Sequence, residues 1–328
     1  MVRRRAFVGG GLGAALVLWS GRVRADDPVP VVGRLFSGSQ ADALTSERIM
    51  ATALRQAGVV PGKDVMIEEW IADGHYDRLP ELAADLLRRK PAVILASASP
   101  SVIAAKAATN DIPIVFSTGL DPIKAGLVSN FNRPERNVTG AYLPFIATEA
   151  KRMQILHELL PQARSVGVLV NPSNADAEDV KAILRAAAPA MGLDLRFAET
   201  KTEGDLVPAF EGFARDRADA VFETTDQLLD GSWTDRIVAL AEAHHLPVVG
   251  VERVRVATGL LASYGADPDE AYAQQGTYAA RILKGAKPGD LPVVQIAKFV
   301  LAINMKTAKA LGITIPPTLL ARADEVIE

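Results

Sequence analysis

Residues 92–118 read AVILASASPSVIAAKAATNDIPIVFST. An apolar run, Ala92 to Ala96, passes through the polar turn Ser97-Ala98-Ser99-Pro100-Ser101 into a stretch of helical period reaching about residue 109, and a second β-branched run, Ile114 to Ser117, follows. Two short and almost continuously apolar strands separated by one helix form a βαβ unit, and strands apolar on both faces belong to a parallel sheet covered on both sides. Reading outward, the same step recurs. Before it lie strands at Val31 to Phe36 and Val65 to Trp70, with helices at about 40–57 and 77–89. After it comes a second set, Ser165 to Val170, Asp194 to Ala198, Ala220 to Glu223 and Val248 to Val251, with helices near 174–190, 203–215 and 231–244. Strands spaced by roughly one βαβ step, wound by right-handed crossovers, predict two similar doubly wound, Rossmann-like α/β lobes.

The remaining chain must serve both lobes. Asn137 to Tyr142 reads as an edge strand entering a hinge, and a helix from about Thr148 to Leu160 opens the second lobe. Gly259 to Tyr264 is a further strand. Asp267-Pro268-Asp269-Glu270 is a conventional helix start, with Asp267 as N-cap and Pro268 in the first turn. A strand at Phe299 to Ile303, a helix from Asn304 to Leu311 and the Pro-rich Ile315-Pro316-Pro317-Thr318 are too little for a third domain. The expected division is a first lobe over 26–142 to which 268–290 return, a second lobe over 143–264, and a segment, 291–328, docking across the two through a multi-strand hinge.

Composition narrows the function. The 328 residues are 49% hydrophobic and 23% charged, with net charge −3, so the chain is globular and lacks the basic footprint that holds a phosphate backbone; no nucleic-acid partner is expected. Zero cysteines remove disulfides, thiolate metal sites, cysteine nucleophiles and a lipidated N-terminal cysteine together. Arg3-Arg4-Arg5, an apolar run from Ala6 to Trp19 and Val23-Arg24-Ala25 are expected to form a signal peptide cleaved after Ala25, by the Sec or the Tat route. The apolar run is too short to span a bilayer. Glycines 9, 10, 11 and 13 fall inside it, so they make no dinucleotide loop. Removal of residues 1–25 takes away five arginines and no acids, leaving net −8.

In open parallel sheets ligands bind beyond the carboxyl ends of the strands. The loops there supply the candidate ligand residues. In the first lobe these are Ser37 and Ser39 after the first strand, Ser97 and Ser99 after the third, and Thr118, Gly119 and Asp121 after the fourth. Ser99 as N-cap and Pro100 behind it would aim free N–H groups at the cleft, a site for a carboxylate. Asp121 and Pro122 repeat the pattern, with Asp121 as a cap. The second lobe offers Asn171, Thr225, Asp226 and Glu252, where Asp226 or Glu252 would meet an ammonium. Tyr142 and Tyr264 fall at the hinge crossings, and Phe145 near a loop mouth would wall a cleft. No Gly-x-Ser-x-Gly elbow, Walker loop or His-Glu-x-x-His occurs, and the four histidines are scattered, so no enzyme is expected. No metal or cofactor is expected.

Ala72-Asp73-Gly74-His75-Tyr76-Asp77-Arg78-Leu79-Pro80-Glu81-Leu82-Ala83 resembles the hallmark segment of a family of ABC-transporter substrate-binding proteins that includes tryptophan- and tyrosine-type members. Similar matches are Ile112 to Phe116, Asp121-Pro122, Asn132-Arg133-Pro134, Asn137 to Gly140, Lys151-Arg152 with Leu156 to Pro161, Val168 to Pro172, Arg281 to Pro288 and Ala308 to Glu328. The resemblance covers essentially all the chain beyond residue 25. It implies a type I periplasmic-binding-protein fold, a small-molecule ligand held by hinge closure, an ABC permease partner in the inner membrane, a monomer and a periplasmic location. The implied solute carries a carboxylate: an amino acid, an aromatic one among them, or a related acid. Ser97-Ala98-Ser99-Pro100 departs from the Gly-Thr-Pro-like turn of many members. A sensory receptor of the same fold and a cleft hydrolase are the competing readings.

Overall fold

The computed structural model describes residues 29–134 and 136–328. The expected signal peptide, residues 1–25 with cleavage after Ala25, lies outside the described residues.

The first lobe runs β1 (Val31–Phe36), α1 (Gln40–Gln56), β2 (Met66–Ile71), α2 (Leu79–Arg88), β3 (Val93–Ser97), α3 (Ser99–Ala108), β4 (Ile114–Thr118) and β5 (Val138–Tyr142). The second runs α4 (Phe145–Leu159), β6 (Ser165–Val170), α5 (Ala177–Ala187), β7 (Asp194–Glu199), α6 (Leu206–Arg215), β8 (Ala220–Glu223), α7 (Thr234–His244), β9 (Val248–Gly250), α8 (Arg253–Val256) and β10 (Ala262–Ala266). The chain then returns through α9 (Pro268–Leu283) and β11 (Val294–Gln295) before β12 (Phe299–Asn304), α10 (Met305–Ala310), α11 (Pro317–Leu320) and β13 (Glu325–Ile327).

The first sheet has the order β11-β5-β4-β3-β1-β2 and is wholly parallel. The second has the order β13-β12-β10-β9-β8-β6-β7, with β10 and β12 antiparallel. The doubly wound, two-lobe architecture is therefore present. β3 shows why its sequence reads as an unbroken apolar run: Val93 and Leu95 enter the core shared with α1 and α9, whereas Ile94 and Ala96 enter the core under α2 and α3. Neither face of β3 meets water.

Two sequence readings are corrected. The strand ending at Tyr142 is not an edge, because β11 pairs alongside it: Val294 stands opposite Ala141 and Gln295 opposite Tyr142. A two-residue strand has too little periodicity to be read from sequence. Asp121-Pro122 begins a turn and no helix; Asp121 Oδ1 accepts N–H bonds from Ile123 (2.9 Å) and Lys124 (3.1 Å), and the chain breaks off toward Leu127 and Val128.

Three connections cross between the lobes: one after β5, one at Asp267 and one between β11 and β12. Ala141, Leu143, Ala266, Ala271 and Ile296 bury one another there. Asp267 accepts the Asp269 N–H at the head of α9 and pairs with Lys298 at 2.8 Å, tying two of the crossings together. α9 packs closely on α1, because at Gly276 any Cβ would run into the Met50 carbonyl oxygen. The buried Arg34 of β1 holds α1 from the other side, donating to Ser46 Oγ (2.7 Å) and the Ala43 carbonyl (3.2 Å) and pairing with Glu69.

Candidate functional site

The carboxyl ends of both sheets face one another across a cavity lined from the first lobe by Ala98, Ser99, Thr118 and Gly119, and from the second by Asp176, Thr225, Asp226, Asp230 and Glu252. Phe145, Pro268 and Tyr272, from the hinge and the helices beside it, close the sides.

On the first-lobe wall the turn after β3 differs from expectation. Ser99 is the first residue of α3 and Ala98 takes the cap position with φ +67°, a left-handed conformation that costs an alanine but not a glycine. Freed from capping, the Ser99 hydroxyl lies 3.1 Å from Thr118 Oγ1 and donates to Asp176 Oδ2 across the cleft at 3.4 Å. Ser97 supports this turn from behind. Its hydroxyl donates to Gln275 Oε1 (3.0 Å), and Gln275 Nε2 donates in turn to the carbonyls of Ala96 (3.1 Å) and Val115 (3.0 Å).

On the second-lobe wall Asp226 is engaged by protein donors throughout. Asn171 reaches both its oxygens (3.2 and 3.3 Å), Asn174 donates at 2.9 Å, the Leu228 N–H at 3.0 Å, and the Tyr76 hydroxyl at 3.2 Å. The last donor comes from the other lobe. It lies in the segment 72–83, where Asp73 and Gly74 both have positive φ and turn the chain after β2 so that Tyr76 faces Asp226. Below, Thr225 is fixed by Glu149 Oε1, which accepts its N–H (3.1 Å) and its hydroxyl (2.9 Å), while Arg152 binds the other Glu149 oxygen at 2.6 Å. A third contact across the lobes joins Arg255 to Asp42 at 2.5 Å. The lobes are closed on one another.

The cleft is acidic. Burial pushes Asp176 up to about 6 and Glu252 up to about 7, and raises Asp230 and Asp226 as well; Arg255 opposes the shift at Glu252 and Asp230. Beneath them Glu223 is fully buried, neither carboxyl oxygen has a hydrogen-bond partner, and burial drives it from 4.5 to about 8 against the pull of Arg152 and Arg255. A carboxyl whose folded value is raised binds its proton more tightly when folded, so stability is greatest below the unfolded value and falls as pH rises toward the folded one. Glu223 is thus expected to remove on the order of 3 kcal/mol between its unfolded value of 4.5 and neutral pH. Urea unfolding at pH 5 and pH 7.5 checks this: Glu223→Gln should lose distinctly less stability between the two than the wild type, and parallel losses would refute the assignment.

Of the sequence candidates, Ser99, Thr118, Gly119, Phe145, Thr225, Asp226 and Glu252 line this cavity. The others stand elsewhere. Ser37 is buried with no partner for its hydroxyl, Ser39 caps α1 by accepting the Asp42 N–H, and Ser97 and Asn171 act through Gln275 and Asp226. Asp121 and Tyr142 line a neighbouring chamber with Ile146, Asp179 and Ile183, which meets the main cavity at Asp176. Tyr264 stacks on Phe299 at 5.9 Å, and its carbonyl accepts from Arg152. Sequence reasoning missed Asp176, Asp230 and Tyr272. Asp176 lies two residues past the loop Asn171 to Asn174, Asp230 sits in a π-helical turn, Leu228–Ser232, and Tyr272 in the first turns of α9.

The sequence profile of ABC transporter substrate binding proteins matches residues 41–327. The chain belongs to that family. Its relatives include a tyrosine-binding protein of Clostridioides difficile strain R20291, 27% identical over 259 residues, 79% of this chain and 74% of that protein. Among solved structures, a conserved domain protein of Vibrio cholerae O1 biovar eltor is 28% identical over 91% of this chain and 100% of the other, with a TM-score of 0.82. A domain from Streptococcus pneumonia in complex with L-Trp is 23% identical over 92% and 100%, with a TM-score of 0.81. The fold is that of type I periplasmic binding proteins. Among the described residues of this substrate-binding protein no helix is long and apolar enough to cross a membrane, and no group of His, Asp or Glu is gathered to hold a metal ion.

Proposed function

We propose that this protein is the solute-capturing component of an ABC importer, exported to the periplasm after loss of residues 1–25, and that it delivers a small amino acid to a permease in the inner membrane as a monomer without chemical conversion. The observation that carries this reading is that residues lining one cavity also join the lobes: Ser99 to Asp176 and Tyr76 to Asp226. Closure of this kind is driven by contacts made only in the closed state, so a solute seated between the walls adds to it. The α3 N-terminus with Ser99, Thr118 and the Gly119 backbone suits a carboxylate. Asp176 lies beside Ser99 and is placed to meet the ammonium that an amino acid carries next to its carboxylate. The tyrosine-binding relative supports the amino-acid class.

The test is a thermal-shift screen of refolded, ligand-stripped protein against amino acids, aromatic acids, sugars and purines. A true solute at 100 times its dissociation constant stabilises by about 2.7 kcal/mol, and the shift should be limited to amino acids and diminished in Ser99→Ala. A shift with sugars alone would overturn the amino-acid reading, and none across the library would overturn solute capture.

A further inference from the structure

The cavity has two ends. At Asp176 it meets the chamber of Asp121 and Tyr142, and at Glu252 and Tyr272 it meets a second chamber containing Asp42 and Arg255. The carboxylate and ammonium of an amino acid fill the first end, and its side chain must then point toward the second. We infer that the side chain this cleft selects ends in a positive charge, an ammonium or a guanidinium, seated between Asp230 and Glu252 beside Tyr272. The inference rests on the amino-acid reading above and deepens it.

Asp230 is the deciding residue. It is 5% exposed and lines the cavity, yet its carboxylate takes part in no hydrogen bond or ion pair among the described residues. Burial, and after it the charges of Glu252, Glu223 and Asp226, raise its proton affinity, and Arg255 opposes them. Arg255 is committed elsewhere, with one nitrogen on Asp42 at 2.5 Å, another on the Asp230 backbone carbonyl at 3.0 Å, and Glu252 no nearer than 3.8 Å. Arg253 turns away to Asp269 and Glu325. A buried carboxyl left without a partner is costly whether it stays charged or takes up a proton, so an apolar side chain entering here would seal an unsatisfied acid in place, whereas a cation would pair with its ionised form. Among the described residues the carboxylates are not gathered as a metal-ion site, so the cation this end of the cavity suits is an organic one. The Tyr272 and Phe145 rings on the cavity wall are compatible with one, since aromatic faces attract positive charge.

Isothermal titration of the stripped full chain, using charged amino acids and neutral counterparts of the same shape, tests the inference. L-Arginine is paired with L-citrulline and L-lysine with L-norleucine, and L-tyrosine is added. The expected result is that arginine or lysine binds at least tenfold more tightly than its neutral counterpart and than tyrosine. Asp230→Asn should abolish that preference while the empty variant melts no lower than the wild type, because an unpaired buried acid has been replaced by a neutral amide of the same shape. Glu252→Gln should reduce the same preference independently. If citrulline, norleucine or tyrosine binds as tightly as the charged amino acids, the inference falls and the amino-acid reading stands. If none of the five binds, the inference falls, and the thermal-shift screen decides the amino-acid reading by itself.

Discussion

Arg152→Ala is expected to lower the unfolding free energy by about 3–5 kcal/mol, the usual cost of removing one partner from a buried ion pair. Arg152 and Glu149 are both fully buried and pair at 2.6 Å. The same guanidinium donates to the carbonyls of Glu223 (3.2 Å) and Tyr264 (3.4 Å), and lies 4.8 Å from the centre of the Phe222 ring. One side chain on α4 therefore binds the end of β8 and the middle of β10. Its loss leaves the buried Glu149 with only Thr225 as donor, and takes from Glu223 the stronger of the two guanidinium charges opposing its burial. Urea unfolding measures the loss. The double change Arg152→Met with Glu149→Leu removes both charges and should recover much of it, because the penalty is chiefly that of the abandoned carboxylate. A single variant within about 1 kcal/mol of the wild type, the range of an exposed pair, would show that the pair does not organise this end of the lobe.

This network also marks the boundary of what was legible in the sequence. Strands buried on both faces are written as apolar runs, and β1, β6 and β8 lie where those runs were read, at Val31–Phe36, Ser165–Val170 and Ala220–Glu223. The loops after those strands were legible for the same reason, and Ser99, Thr118, Thr225, Asp226 and Glu252 do meet in one cavity. What the sequence does not encode locally is which group a polar side chain chooses once the lobes are folded. Asp226 reads as a free loop carboxylate, but its partners lie 52 to 150 positions away, at Asn174, Asn171 and Tyr76. Ser99 reads as a helix cap, but its hydroxyl turns outward because Ala98 takes the cap position. Asp230 was unreadable because a π-helical turn has no period of its own in so short a stretch, and its importance comes from a carboxylate that has no hydrogen-bond or ion-pair partner among the described residues.

Asp226→Ala is expected to weaken solute binding by ten- to more than a hundredfold and to destabilise the empty protein as well. The two effects have different origins, which Tyr76→Phe separates. Hydrogen bonds to charged groups contribute about 1.5–3 kcal/mol, and about 1.4 kcal/mol is a factor of ten in affinity. The Tyr76–Asp226 bond joins the lobes, so it exists only when they are closed; deleting the hydroxyl should lower affinity about tenfold or more while the empty protein keeps its melting temperature. Asp226→Ala deletes that bond, strands Asn171 and the Leu228 N–H and leaves Asn174 only the Thr225 carbonyl, donors inside the second lobe that bind Asp226 whether or not the lobes close. Each buried donor left without a partner costs about 1–3 kcal/mol, so this variant should melt lower even when empty. Titration calorimetry gives the affinities, and small-angle scattering at saturating solute shows whether the closed form is still reached. Unchanged affinity in Tyr76→Phe, with Asp226→Ala merely less stable, would make Asp226 an organiser of its own lobe. Loss of affinity in both at equal degrees of closure would instead place Tyr76 against the solute. Only the expected pattern, weaker binding with a less closed Tyr76→Phe protein of unaltered stability, fits a clasp that the solute must complete.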